Sequence, residues 1–189
     1  MLAKLVCLLA PESKGDILTS LCTPDSFFIK PYKFSPVILS VEDFIKELIP
    51  YTDDIGIDLN SHSKKDLLIE SLRSSSANLK GVALSLRPYF FEVSEYDQKA
   101  IAKFIDNVEI LNNLKDSLLN VKEWSETEID KALKIFQESS ALPTPKVNQP
   151  VRIALTGSTQ SPSLGLTLSL FDKETAINRI INLHTFLTL

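Results

Sequence analysis

From about residue 40 onward, apolar positions recur every three or four residues, the spacing of helices that each bury one face. In VEDFIKELI, Phe44, Ile45, Leu48 and Ile49 share a side behind Ser40, the predicted N-cap. Ser63 is the predicted cap of a second helix through DLLIESLR. Asn78 caps a third through VALSLR, which should stop before Pro88 because proline restricts the residue ahead of it. Ser94 and Asp97 open EYDQKAIAKFI, and VEILNNLKDSLL forms a further helix. Ser125 and Glu128 make a capping-box pattern ahead of a buried stripe of Ile129, Leu133 and Phe136. LPTPKVNQP reads as a proline-rich connector, with Asn148 capping QPVRIALT. That helix should end at a left-handed glycine, Gly157. Ser161 as N-cap and Pro162 at the first helical position then open SPSLGLTLSLF, and Asp172 opens KETAINRIINLHTFL.

Nothing after residue 62 reads as paired strands. Residues 1–39 differ: FFIKPYKF and PVILSV could be extended, but Pro24, Pro31 and Pro36 interrupt them. The expected fold is therefore mainly all-α, with an irregular or partly extended N-terminal segment.

The chain's 189 residues are 44% hydrophobic with only 5 glycines, enough to bury a proper core. Cys7 and Cys22 are too few for a disulfide framework and lack zinc-site spacing, so buried thiols in a reducing compartment are expected. The apolar run in MLAKLVCLLAPES is too short for a signal peptide, and no stretch reaches the length of a membrane span. These features point to a soluble cytoplasmic protein without a membrane partner. The net charge of -4 argues against a general nucleic-acid binder. The distribution qualifies this: residues 62–91 and 144–189 are mildly basic and flank an acidic middle, and folded together they could offer a weakly basic surface.

Catalytic chemistry is hard to place. Gly157 has no glycine five residues before it and no lysine after it, so the segment is no phosphate cradle. His62, among Ser and Asn, reads as solvated, and His184, on an apolar helix, as a packing residue; neither belongs to a metal pattern. The serines of SLRSSSANL lack a nucleophile elbow and read as loop residues, and the carboxylates of 92–130 read as a solvated face. No catalytic residue and no metal site is expected. What remains is Arg152 with the SPSL loop, and RPYFF at 87–91. Arginines beside aromatics suit unstacked RNA bases, although core packing of Phe90 and Phe91 is the weightier reading. For Arg152, a ligand contact and a plain surface position both stay open.

LKGVALSLRPYFF, VKEWSETEIDKALKIF and QPVRIALTGSTQSPSLGLTLSLFDKETAINRI, in this order over about residues 40–189, resemble the C-terminal anticodon-binding region of bacterial-type glutamyl-tRNA synthetases. The pattern is a Trp before an acidic helix, here Trp124, then a Q-P-x-R-x-A-L-T-G turn and an [ST]-P-x-L helix start. The resemblance implies a helical bundle or cage of two small subdomains, 40–140 and 141–189, behind the 1–39 segment. It further implies that Arg152, Ser161, Pro162 and Leu164 form the pocket for the first anticodon base, and that Lys134 faces the anticodon. Where discriminating members carry an arginine that reads the third base, this chain has Ser75; Arg73 lies two residues earlier. The choice between glutamate and glutamine tRNA is thus open. The family's H-I-G-H and K-M-S-K-S motifs do not occur in these residues, so no cofactor is expected here: ATP, Mg and glutamate would belong to a catalytic domain. The resemblance implies a monomeric tRNA-binding module of a glutamate–tRNA ligase that positions tRNA for glutamylation. The alternative is a helical scaffold or protein-interaction domain derived from such a module.

Overall fold

A computed structural model describes residues 39–189. The readings made for Cys7, Cys22 and the proline-interrupted segment through residue 38 fall outside the described residues. The described residues form helices and one 3₁₀ turn, without a strand. The all-α expectation holds there.

Helix α1 (Val41–Asp54) begins where Ser40 Oγ accepts the Asp43 N–H at 3.1 Å, and it buries Phe44, Leu48 and Thr52. After a 3₁₀ turn at Leu59–Ser61 comes α2 (Lys65–Leu72). Ser63 does not cap α2. The N-cap is Lys64, whose own N–H is taken by His62 Nδ1 at 3.1 Å and whose Nζ reaches Ser169 O. Helix α3 (Leu79–Phe90) is capped by Asn78 as expected, its Oδ1 accepting the Gly81 N–H at 2.8 Å, but α3 runs through Pro88. That proline removes only the bond to the carbonyl of Leu84, a residue on the solvent side of α3, and the helix ends two residues later.

Asp97 caps α4 (Gln98–Phe104) by accepting from Lys99 and Ala100, so Ser94 has no part in it. Helix α5 (Glu109–Leu119) buries Leu111, Leu114 and Leu118. Helix α6 (Glu126–Ser140) starts after Ser125, but no capping box forms: the Ser125 side chain makes no cap bond, and Glu128 pairs with Lys131 at 2.6 Å. Ile129 and Leu133 are buried as expected, and Phe136 packs against the core.

Helix α7 (Thr144–Thr156) begins earlier than the connector reading allowed. Pro145 suits the first turn, the ring of Pro150 is buried, and Asn148 is an interior residue, not a cap. The helix ends at Gly157, with φ 75°, as expected. Helix α8 is Leu164–Leu170 with Ser163, not Ser161, as N-cap, because the Ser163 hydroxyl is the one that meets the Leu166 N–H. Helix α9 (Lys173–Thr188) opens at Asp172, which takes the Thr175 N–H at 2.8 Å.

Packing makes α9 a central strut, lying against α5 and α7, while α6 covers α8 and α1 lies on α3. Trp124, ahead of α6, donates from Nε1 to Leu168 O at 3.2 Å and Phe171 O at 3.0 Å, closing the end of α8. Lys173 reaches back to Leu119 O and Val121 O at the end of α5. A direct packing of α3 on α7 brings the α2–α3 turn towards the loop that follows α7.

Candidate functional site

Between that turn and that loop lies a groove of about 740 Å³. One wall comes from Ser71, Leu72, Ser74, Ser75 and Ser76 and the face of α3 that carries Gly81, Leu84, Ser85, Pro88 and Tyr89; the other is Thr156, Ser158, Gln160, Ser161 and Pro162. None of the lining side chains carries a formal charge, and most carry a hydroxyl. Gly81 has no room for a Cβ because the Ser76 side chain fills the space, so the wall is tightly packed where the turn meets α3.

The second wall is held from both sides. Arg152 Nη1, one turn before the end of α7, donates to Ser161 O at 2.8 Å, to Pro162 O at 2.5 Å and to Ser161 Oγ. Thr167, fully buried, donates to Ser163 O at 2.9 Å with Ser161 Oγ 3.2 Å away. From α6, Glu126 accepts the Ser163 hydroxyl at 2.9 Å, and the Asp130 carboxylate lies against the Gly165 backbone. A Cβ on Gly165 would run into that carboxylate. Carbonyls of the loop thus face a cation, and its N–H and O–H groups face two carboxylates. Burial, and then Glu126, raise the Asp130 pKa, while the neighbouring Gly165 N–H opposes them. Burial lowers the Arg152 pKa, yet guanidinium remains charged near neutral pH.

Among the sequence-predicted residues, Ser75, Ser161 and Pro162 meet on facing walls of this groove. Ser75 Oγ lies 3.0 Å from Ser85 Oγ. Arg152 stands behind the loop, half-buried, with Nη1 making all its side-chain hydrogen bonds among the described residues. Leu164 is only 4% exposed and packs under the loop instead of lining the groove. Lys134 is exposed on α6, outside the lining. Arg73 turns away from the groove: it bonds Glu70 at 3.0 Å and Leu39 O at 3.3 Å.

Sequence reasoning missed Tyr89. In RPYFF it is Tyr89 that forms the groove floor, 8% exposed and stacked on Phe171 at 5.0 Å, while Phe91 is 39% exposed. Burial pushes its phenol up to about 12, and the hydroxyl has no hydrogen-bond partner, the nearby Thr167 hydroxyl falling outside bonding geometry. The signal was present in the helical spacing, since Ser85 and Tyr89 are four apart on one face of α3. His62 is half-buried against Phe90, not solvated, and His184 packs beside Asn112, 3.0 Å away. Among the described residues no three His, Cys, Asp or Glu side chains gather as a metal site would need, and no helix is long and apolar enough to cross a membrane.

Residues 43–183 match the family described as the anticodon binding domain. The chain is 31% identical over 145 residues to a glutamate–tRNA ligase of Myxococcus xanthus, covering 75% of this chain and 30% of that protein. It is 28% identical over 148 residues to a glutamate–tRNA ligase of Thermus thermophilus, covering 78% and 32%. The chain thus spans about a third of the length of these relatives. A crystal structure of a glutamate tRNA ligase from Elizabethkingia meningosepticum superposes with a TM-score of 0.71 at 18% identity, over 79% of this chain and 30% of that one, which shows the shared fold. With a helical match across nearly all described residues, this chain belongs to the anticodon-binding domain family.

Proposed function

We propose that the groove receives unstacked anticodon bases of a glutamate-family tRNA, and that the chain is the tRNA-positioning part of a cytoplasmic glutamate–tRNA ligase. One observation carries this reading: the Ser75 turn and the Ser161–Pro162 loop, far apart in sequence, face each other across a single uncharged groove. Its size falls within the range of about 300–1,000 Å³ in which small ligands are held. Hydroxyls, the Gln160 amide and loop main-chain groups can pair with base edges, and Pro88 and Pro162 offer flat apolar surfaces to a base. Arg152 supports the pocket by shaping the loop, since its Nη1 already holds Ser161 and Pro162. Ser75 both donates and accepts, so it does not impose one base at the third position, and Arg73 is engaged elsewhere. Choice between glutamate and glutamine tRNA at this base should therefore be weak. ATP, Mg and glutamate are left to a catalytic domain, and the module acts as a monomer.

The test is a fluorescence titration of the protein with a glutamate anticodon stem-loop RNA and a scrambled-loop control at one fixed salt. The glutamate loop should bind about tenfold or more tighter, the value of one good base contact. Ser75→Trp, which puts a large side chain into the groove from an exposed position, should remove the difference. Equal, strongly salt-dependent binding of both RNAs would support the scaffold alternative instead.

A further inference from the structure

One side chain that lines neither wall ties the two walls together. Arg179 on α9 is 4% exposed, and its charge is met by main-chain carbonyls. Nη1 donates to Pro88 O at 2.6 Å and to Leu155 O at 2.5 Å, and Nη2 to Phe91 O at 2.9 Å. These carbonyls lie at the C-terminal ends of α3 and α7, where no further helical N–H is available and where both helix dipoles are negative. Glu92 and Asp172 act on this cation from beyond ion-pair distance, and the carbonyls supply its direct partners, which makes its burial tolerable there. Below it, Cζ sits 4.5 Å over the ring of Phe171, which stacks on Tyr89, the groove floor.

The position matters for the groove. Pro88 and Tyr89 belong to the first wall, and Thr156, the residue after Leu155, begins the second. Resting on the reading proposed above, we propose that Arg179 is a positioning residue which, by joining the ends of α3 and α7 with one planar cation, fixes the separation of the two walls. A guanidinium is suited to this because its donors lie in a rigid fork, whereas an ammonium is a single point that cannot hold the carbonyls of two helices in the same geometry.

The test uses the full chain with Cys7 and Cys22 replaced by serine and spin labels at Leu84→Cys and Gln160→Cys, one exposed position on each wall. Pulsed electron paramagnetic resonance then reads the wall-to-wall distance distribution, alongside stem-loop binding. Arg179→Lys should broaden or shift that distribution and weaken stem-loop binding about tenfold, as for loss of one charge-assisted bond. Phe171→Leu, which withdraws the ring beneath the cation, should act in the same direction and carries the test if the lysine variant does not fold. Leu114→Ala, a fully buried α5 position outside the groove, should lower the melting temperature yet leave the distribution unchanged. A folded Arg179→Lys or Phe171→Leu with the parent distribution would overturn the proposal, as would equal broadening by Leu114→Ala. If the parent binds no stem-loop while Arg179→Lys still moves the walls, the positioning role stands and the tRNA reading falls.

Discussion

Replacing Gly157 by alanine should destabilise the fold more than the same change at Gly56, although both glycines have nearly the same backbone, φ 75° and 73°. The left-handed conformation costs an L-residue about 1–2 kcal/mol at either site. The surroundings differ. A Cβ at Gly56 meets nothing within 4 Å, while one at Gly157 would stand 2.5 Å from Glu95 O and 3.2 Å from Val93 Cγ1. Glu95 O is backbone and cannot swing away as a side chain could. Relief requires the 93–97 segment to lift, which gives up the bond from Asp97 N to Gly157 O at 2.8 Å and disturbs the residue that caps α4. Losing that bond adds roughly 0.5–1.5 kcal/mol, with about 1 kcal/mol more for the displaced cap. Gly157→Ala should therefore cost about 3–4 kcal/mol against about 1–2 kcal/mol for Gly56→Ala. Urea unfolding followed by circular dichroism, with m-values checked for equality, measures both. Equal losses at the two glycines would show that the contact between Gly157 and Glu95 sets no constraint, and the reasoning would fail.

Arg152→Ala should weaken stem-loop binding by roughly 1–3 kcal/mol through release of the Ser161–Pro162 loop, read in the same titration; unchanged affinity would refute its supporting role. Trp124→Phe keeps the ring but loses the donor that serves Leu168 O and Phe171 O, so it should cost about 1–2 kcal/mol by urea unfolding. Burial, then Lys64, lowers the His62 pKa below 6.5, so the unfolded chain takes a proton first and stability falls as pH drops from 6.5 towards the folded value. Imidazole NMR titration, with His184→Gln for assignment, should place His62 below 6.5, and a midpoint above that value would contradict the burial seen for it.

Local signals were legible in the sequence and distant ones were not. Ser40, Asn78, Asp97 and Asp172 cap their helices through bonds two or three residues away, and Gly157 ends α7 by its own backbone freedom. Pro88 misleads when read as a helix stop, and Pro150 when read as the end of a connector ahead of the helix. Each removes a single helical bond, and packing of the surrounding turns outweighs that loss. Ser161 and Ser163 flank the same proline, and the choice between them as cap is made by Arg152 and Glu126 reaching in from other helices and by Thr167 of α8 itself. In the groove, Ser75, Ser161 and Pro162 stand in the family's sequence pattern, whereas Glu126 meets Ser163 across 37 residues and Arg179 meets Pro88 across 91. Hydrophobic periodicity carries no information about such pairings, since it records which side of a helix is buried but not against what.

The absence of formal charge from the groove lining separates two properties that most nucleic-acid binders mix. Attraction to phosphates weakens as salt rises, but pairing between neutral groups and a base edge does not follow the same law. If a base lies where we place it, raising the ionic strength should loosen the grip on every tRNA alike while the preference for one anticodon over another stays constant.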